Sequence, residues 1–333
     1  MNQRITYILP IVVVAFAVLA AFATLGRAPE YMKVSGMVFG TSYNVTYESN
    51  EELHDEIKAV LDSIDNSLSP FNEKSIIAAV NENREVKLDD MFTEVFQLAR
   101  QVNEDTDGAF DITVAPLVNA WGFGFKNGFM PTDSQVDSLL DIVGMQKVTL
   151  EGGKIRKADP RMMLDCSAIA KGYAVDRIAK MLSAHGVKNM MVEIGGEIVA
   201  HGKNGNGKAW RIGVTKPYDD TLSVNTELQT VLSLTDVAMA TSGNYRNFYY
   251  KEGKKYAHTI DPKSGRPVQQ SILSATVVAP SCAIADAYAT SFMVMGLKRA
   301  KEILSRHPEM KAYLIYAGEN GENQVWSSPG LEN

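Results

Sequence analysis

Residues 147–194 are KVTLEGGKIRKADPRMMLDCSAIAKGYAVDRIAKMLSAHGVKNMMVEI. Apolar residues recur at every second position around Gly152-Gly153, which predicts a β-hairpin. A long helix is predicted next, from Ser167 to His185, and Gly186 ends it. A strand is predicted at Met190–Ile194. Strands and helices therefore follow one another without the regular βαβ order of a parallel sheet, and this stretch predicts an α+β fold.

The remaining sequence predicts elements of the same two kinds. Ser49 with Glu52, and Thr132 with Gln135, have the spacing of a capping box, which predicts two helix starts. A long C-terminal helix is predicted with an interruption at Gly296. The predicted helices lie at about 50–68, 89–103, 132–144, 167–185 and 283–305, the strands at about 36–47, 147–155, 190–194, 210–214, 230–234, 273–279 and 312–316, and a closing turn at 318–321.

Composition indicates a globular protein that does not bind nucleic acid. The chain has 333 residues, of which 45% are hydrophobic and 22% charged, with a net charge of −6. No dense Lys/Arg run offers a nucleic-acid surface. No internal repeat or Pro/Gly/Ser-rich linker divides the chain, so residues 31–333 are expected to form one domain, compact or bilobed. We expect a mixed or antiparallel sheet with packed helices.

The N-terminal segment, residues 1–30, is predicted to target the chain to a membrane. No charged residue occurs from Tyr7 to Leu25, and Arg4 precedes this run. Its length is close to the roughly 20 residues that span a bilayer. Ala21-Phe22-Ala23 also resembles the cleavage site of a secretory signal. An uncleaved anchor is the favoured interpretation and a cleaved signal the alternative; both place the domain outside the cytoplasm.

The two cysteines, Cys166 and Cys282, are too few for a disulfide framework in an exported protein. Each precedes a predicted helix start rich in small residues, where a buried thiol behaves as a small apolar side chain. Two free thiols are the favoured interpretation, and one bridge is the alternative.

Asp286 and Thr290 are four residues apart in a predicted helix, so their side-chain oxygens lie on one face. One carboxylate with a hydroxyl suits Mg²⁺, which keeps waters and binds substrate phosphates. The alternative is structural, because Thr often bonds its own helix carbonyl and Asp near a helix start complements the dipole.

The segment Asp165–Gly172 places an acidic residue, an N-cap and Lys171 at a predicted helix start. Helix N-termini attract phosphate, and a lysine one turn in would neutralise it. An ordinary capped helix with a surface lysine is the alternative. Three glycine-rich turns, at 106–111, 193–197 and 240–246, would let backbone amides approach a phosphate, or would simply make turns.

His258 is the one histidine of five that lies in a motif-like setting, Tyr256 to Pro262. It is a candidate general base, and a structural histidine is the alternative. The sequence contains no Walker lysine motif, no Gly-x-Gly-x-x-Gly fingerprint, no His-x-x-x-His pair and no Gly-x-Ser-x-Gly elbow.

Taken in order, these segments resemble the FAD:protein FMN transferase family, flavin transferases once labelled thiamine-biosynthesis lipoproteins. The resemblance extends from about Val34 to Trp326. The strings that carry it are Phe39–Tyr43, Leu68–Asn72, Thr106–Thr113 with Pro116–Val118 and Trp121–Gly124, Asp165–Asp176, Gly195-Gly196, Thr241–Gly243, His258–Pro267 and Ala285–Ala287.

The resemblance implies roles for individual residues. It implies that Ala168, through its backbone oxygen, Asp286 and Thr290 bind Mg²⁺, or Mn²⁺ in its place, and that His258 activates the acceptor hydroxyl. The positions implied to line the FAD pocket are Phe39, Phe71, Ala109, Phe110, Asp111, Asp165, Lys171 and Thr259. Other members often carry Met at the Phe39 position and Trp at the Phe71 position.

The implied activity is transfer of FMN from FAD, through a phosphoester bond, to a Thr or Ser of an acceptor protein, with release of AMP. The implied acceptors resemble flavoprotein subunits of membrane electron-transport complexes, and the implied location is the periplasmic face of a bacterial inner membrane. Two alternatives stay open at this point: an exported FAD pyrophosphatase, in which water replaces the acceptor, and a flavin-binding protein without catalytic activity.

Overall fold

A central antiparallel sheet and the helices on one of its faces organise the computed structural model. The structure describes residues 30–125, 130–219, 227–245, 247–269, 271–318, 320 and 322–331. The α-helices are α1 (His54–Leu68), α2 (Ile76–Asn81), α3 (Asp90–Asp105), α4 (Ala115–Ala120), α5 (Asp133–Leu140), α6 (Ala170–Ala184) and α7 (Cys282–Arg306). The strands are β1 (Glu30–Val38), β2 (Thr41–Ser49), β3 (Val148–Glu151), β4 (Lys154–Lys157), β5 (Met190–Ile194), β6 (Glu197–His201), β7 (Trp210–Thr215), β8 (Leu228–Leu234), β9 (Val237–Gly243), β10 (Phe248–Lys251), β11 (Lys254–Ala257), β12 (Ile260–Asp261), β13 (Arg266–Pro267), β14 (Ile272–Ala279), β15 (Lys311–Ala317) and β16 (Asn323–Ser327).

The main sheet has eight strands in the order β1-β2-β5-β6-β9-β14-β15-β16, and every neighbouring pair is antiparallel. Four separate hairpins, β3–β4, β7–β8, β10–β11 and β12–β13, complete the strand pairs of the described residues. The predicted α+β class with an antiparallel sheet is thus confirmed.

Both faces of the central strands are covered. Neighbouring residues of a strand point to opposite faces, and in β14 Val277 belongs to the main core while Val278 belongs to a second cluster. The main core lies between the sheet and the helices: α7 packs on β9 and β14, and α6 packs on β5 and β6. The β7–β8 hairpin supplies Trp210 and Leu232 to the second cluster. This double burial explains why seven of the eight β14 residues are buried.

Several local predictions are confirmed by side-chain geometry. The Gly152-Gly153 turn joins β3 to β4. Thr132 and Gln135 form a capping box, with Gln135 N donating to Thr132 Oγ1 and Thr132 N donating to Gln135 Oε1. Gly296 interrupts α7 with φ 77° and ψ 173°.

Two predicted helix starts are wrong. The first helix begins at His54 without a side-chain cap, because Tyr47 Oη accepts the amide of Leu53 and Ser49 Oγ accepts the amide of Glu51. The helix predicted from Ser167 begins at Ala170 instead.

In the second case the residues just before Ala170 form a turn, because Asp165 Oδ1 accepts the amide of Ser167. Ser167 is therefore not the N-cap of α6, which is Ile169. The predicted helix over 132–144 is shorter as well, and α5 ends at Leu140.

Both cysteines are buried free thiols, as the favoured interpretation predicted. No helix among the described residues has the length and apolar content to cross a membrane. The predicted leader lies outside the described residues, apart from Glu30, which begins β1, and so does part of the turn predicted at 318–321.

Candidate active site

A cleft of about 440 Å³ opens between the start of α6, the first half of α7 and the loops around β11. Every site residue predicted from the sequence lines it. These residues are Phe39, Phe71, Ala109, Phe110, Asp111, Asp165, Ala168, Lys171, His258, Thr259, Asp286 and Thr290. The structure therefore brings together segments that are far apart in the chain.

The floor of the cleft depends on a close contact between α6 and α7. Gly172 N donates to Asp286 Oδ2 at 3.1 Å, which ties the first turn of one helix to the carboxylate of the other. A Cβ at position 172 would lie 2.3 Å from the carbonyl oxygen of Cys282. Only glycine allows this approach. Asp176 fixes the same junction, because its carboxylate accepts the amides of Cys282 and Ala283 at the start of α7.

At the start of α6, the side chain of Lys171 lines the cleft, whereas two backbone amides are already hydrogen-bonded within the protein. The sequence predicted that helix-start amides would bind phosphate, but Ala170 N donates to Cys166 O and Gly172 N donates to Asp286. Those two amides are occupied inside the protein. Lys171, the second residue of α6, lines the cleft. Lys171 therefore places a positively charged group in the cleft at this end of the helix.

Carboxylates dominate the charge of the cleft. Asp111, Asp165, Glu197 and Asp286 line it, against the ammonium of Lys171. Burial raises the pKa of each of these four carboxyl groups. Burial alone would lower the pKa of Lys171, but Glu197 and Asp286 reverse this effect and raise it. Four carboxyl groups thus share the cleft with one ammonium group.

Glu197 was not among the predicted site residues. Its side chain is only 2% exposed, and its Oε2 lies 2.7 Å from Lys171 Nζ. The geometry of this contact is that of an ion pair, and Oε2 accepts no well-directed hydrogen bond among the described residues. A buried carboxylate oxygen without a hydrogen bond is costly unless charge compensates it.

Thr290 lies one helical turn beyond Asp286 on α7, and both line the cleft. Its Oγ1 is 3.1 Å from Ser242 Oγ on β9. Ala168 lines the same cleft from the turn before α6. A carboxylate, hydroxyl groups and a backbone segment therefore line one cleft and supply oxygen atoms to it.

The opposite wall of the cleft is apolar. Phe39 and Gly40 form the turn between β1 and β2 with φ of 50° and 74°, a pair of positive φ values typical of a two-residue hairpin. Phe71 is 67% exposed and meets Phe125 edge-to-face. Phe39 and Phe71 therefore add aromatic surface to the lining of the cleft.

Asp111 supports this wall and is largely occupied by the protein itself. Its Oδ1 accepts Thr113 N and Oγ1, and its Oδ2 accepts Met145 N. Asn103 holds the adjacent carbonyl of Phe110 at 2.6 Å. Asp111 thus lines the cleft, and its carboxylate acts chiefly as the cap of the turn Ile112–Val114.

His258 is half-buried, and its Nδ1 lies 3.2 Å from the carbonyl oxygen of Asn247. Because a carbonyl only accepts, this contact assigns the proton to Nδ1 and leaves a lone pair on Nε2. Burial lowers the pKa of His258, and the charge of Lys171 acts in the same direction. The ring is therefore a neutral base at neutral pH.

A row of four stacked rings holds the hairpin that precedes His258. In order they are Trp121, Tyr256, Tyr249 and Phe123, with centroid separations of 5.7, 5.4 and 5.2 Å. Trp121 Nε1 also donates to Gly265 O. The row joins β10–β11 to the loop after α4, and Phe123 lines the cleft.

Comparisons with known proteins, made over most of the chain, identify its family. The sequence model of the ApbE family matches residues 39–314. This chain belongs to the ApbE family. FAD:protein FMN transferases from Haemophilus influenzae and Vibrio cholerae are 36% and 35% identical to it over 326 residues each. These alignments cover 93% and 95% of this chain, and 93% and 96% of the relatives.

Solved ApbE structures share the fold. The flavin transferase ApbE from Vibrio cholerae superposes with a TM-score of 0.82 at 34% identity, over 91% of this chain and 98% of that one. The apo flavinyl transferase ApbE from Pseudomonas stutzeri superposes with a TM-score of 0.80 at 30% identity, over 91% and 96% of the two chains. The family resemblance predicted from the sequence strings is confirmed.

Proposed function

We propose that this protein is a FAD:protein FMN transferase that links FMN to a Thr or Ser of an acceptor protein and releases AMP. The observation that carries the proposal is one cleft lined by Lys171, Asp286 and His258, together with the exposed ring of Phe71. Its ApbE-family relatives that bear this enzyme name cover nearly the whole chain.

The charged groups of the cleft are an argument for a divalent cation at its floor. A pyrophosphate is itself anionic, and it would enter a site where Asp165, Glu197 and Asp286 already outnumber Lys171. Such a ligand needs compensating positive charge.

The donor set fits Mg²⁺, with Mn²⁺ as the alternative. We propose Asp286, Thr290 and the backbone oxygen of Ala168 as its protein ligands, because all three residues line the cleft floor. The described residues contain no cluster of three or more His, Cys, Asp or Glu side chains suited to a metal. Mg²⁺ tolerates so sparse a set because it keeps waters and substrate phosphates as ligands. When bound, it would neutralise charge on the pyrophosphate.

Residues of the chain bind the other parts of FAD and accept the proton. Lys171 binds the phosphate oxygens, and the aromatic wall at Phe39 and Phe71 binds a ring of FAD. His258 Nε2 takes the proton of the acceptor hydroxyl. The hydroxyl oxygen then bonds to the FMN phosphorus, and the bond from that phosphorus to the bridging oxygen breaks. AMP leaves with the bridging oxygen.

The acceptor and the location are proposed from the sequence. We propose that residues 1–30 anchor the domain 31–333 at the periplasmic face of the inner membrane, and that acceptors are flavoprotein subunits of electron-transport complexes there. The uncharged run Tyr7–Leu25 supports an anchor. A shared membrane face would raise the effective concentration of such acceptors. A mature N-terminus at Thr24, found by mass spectrometry, would contradict the anchor.

The transfer is tested with the full-length protein, FAD, MgCl₂ and a Thr-containing acceptor subunit. Intact mass spectrometry should find the acceptor heavier by one FMN, less water, and an Asp286→Ala variant should abolish this product. Asp62→Ala, which changes an exposed carboxylate paired with Lys58, is the matched control and should leave the product. Free FMN with unmodified acceptor would identify a pyrophosphatase instead, and unchanged FAD would identify a passive binder.

A further inference from the structure

Glu197 lies at the floor of the cleft because of the hairpin that carries it. It is the first residue of β6 and follows the turn Gly195-Gly196, whose φ values are 62° and 104°. Gly195 N donates to Ser42 O, and Gly196 N donates to Glu193 Oε1. These bonds fix the turn, so the carboxylate of Glu197 is held against Lys171 with 1% of the residue exposed.

Lys171 has two anionic neighbours, and the structure pairs it with one of them. Its Nζ lies 2.7 Å from Glu197 Oε2. The charge of Asp286 attracts the same ammonium group, and Asp286 and Glu197 repel each other. Asp286 accepts the amide of Gly172 instead of the ammonium. Because Lys171 pairs with Glu197, the charge of Asp286 is left available to another cation.

We propose that Glu197 is a positioning residue that holds Lys171 away from Asp286, so that Asp286 can bind the divalent cation. This inference rests on the proposed metal site and adds a residue to it. The lysine stem is flexible, and a buried ammonium group requires a counter-charge. Without the charge of Glu197, the carboxylate left to attract Lys171 at this point is that of Asp286. The lysine would then compete with the cation for it.

A purely structural role gives a weaker explanation of this ion pair. Buried ion pairs contribute little net stability, because desolvation offsets most of the attraction between the charges. The position of Glu197 instead keeps Lys171 apart from Asp286, so that each can bind a different charged group. Lys171 is directed to phosphate and Asp286 to the cation.

The test measures how MgCl₂ strengthens FAD binding, which does not depend on turnover. Flavin fluorescence quenching by the full-length protein is titrated with MgCl₂, at the half-saturating FAD concentration of each variant. Glu197→Gln keeps the shape of the side chain and removes its charge. It should raise the MgCl₂ midpoint about tenfold or more, as loss of a group that orients a metal ligand does.

The double variant K171M/E197Q decides the mechanism. If Lys171 blocks Asp286 in Glu197→Gln, removing the lysine should return the MgCl₂ midpoint to within about threefold of the wild-type value. Glu85→Gln, which removes the charge from an exposed ion pair with Lys154, is the matched control and should leave the midpoint unchanged.

Three results would overturn the proposal. The first is an MgCl₂ midpoint that does not change in Glu197→Gln. The second is an MgCl₂ midpoint that rises equally in Glu197→Gln and in K171M/E197Q. In the third, FAD binding by the wild-type protein does not respond to MgCl₂, which refutes the metal site itself before any variant is made.

Thermal melting checks that each variant is folded. If Glu197→Gln does not fold, the apolar pair K171M/E197M replaces it, since such replacements are often tolerated. Its midpoint should stay within about threefold of the wild-type value. A tenfold rise there would count against the proposal.

Discussion

Gly172→Ala tests how closely α6 and α7 must approach to build the site. The new Cβ would lie 2.3 Å from Cys282 O, 2.6 Å from Cys282 C and 2.9 Å from Ala283 Cα. All three are backbone atoms, so no side chain can rotate away. An ordinary contact begins at 3.4 Å, and the helices must therefore separate by about 1.1 Å.

That separation has two expected consequences. Overpacking of this kind costs about 1–3 kcal/mol of stability, which lowers the melting temperature by a few degrees. The hydrogen bond from Gly172 N to Asp286 Oδ2 is lost as well, and Asp286 moves by a similar distance. A misplacement of about 1 Å at a reacting centre costs about a hundredfold in rate.

The assay measures both quantities, the melting temperature and the initial rate of FMN transfer. Lys180→Ala, at an exposed position of the same helix, is the control and should change neither. If Gly172→Ala keeps the wild-type rate and melting temperature, the contact between the two helices does not set the position of Asp286.

Three further substitutions should separate the parts of the site. Asp286→Ala should lower the transfer rate about a hundredfold or more while the protein stays folded, because it removes the carboxylate proposed for the cation; rate and circular dichroism measure this. His258→Ala should slow transfer by about 10²–10⁴ and leave FAD affinity nearly unchanged. The wild-type rate should fall as pH drops through the lowered pKa of His258, since the protonated ring accepts no proton, and His258→Ala should lose this step. Tyr249→Ala removes the ring between Tyr256 and Phe123 and should cost about 1–3 kcal/mol in urea unfolding, whereas the 59%-exposed Tyr250→Ala should cost much less.

Local sequence patterns predicted those elements that depend on nearby residues. The Thr132–Gln135 box and the interruption at Gly296 follow from short-range rules, and both are confirmed. The Ser49–Glu52 box follows the same rule and is wrong, because Tyr47 Oη takes the amide of Leu53. A tertiary hydrogen bond therefore decided where that helix begins.

The site was predicted from the family resemblance, and spacing alone would not have assembled it. Spacing placed Asp286 and Thr290 on one helix face but did not reveal that Lys171 lies beside them. Glu197 was visible only as part of a Gly-Gly-Glu turn, since its burial depends on how β6 meets α6. Asp176 and Gly172 were missed as positioning residues for a similar reason, because their partners Cys282 and Asp286 are more than a hundred residues away.

A crystal structure with FAD and Mn²⁺ tests the proposed site most directly, because Mn²⁺ is located by its anomalous signal. We expect one Mn²⁺ between Asp286, Thr290 and the FAD pyrophosphate, with Lys171 on a phosphate oxygen and paired with Glu197. Binding of FAD elsewhere, or a pyrophosphate in this cleft without metal at Asp286, would contradict the proposed mechanism.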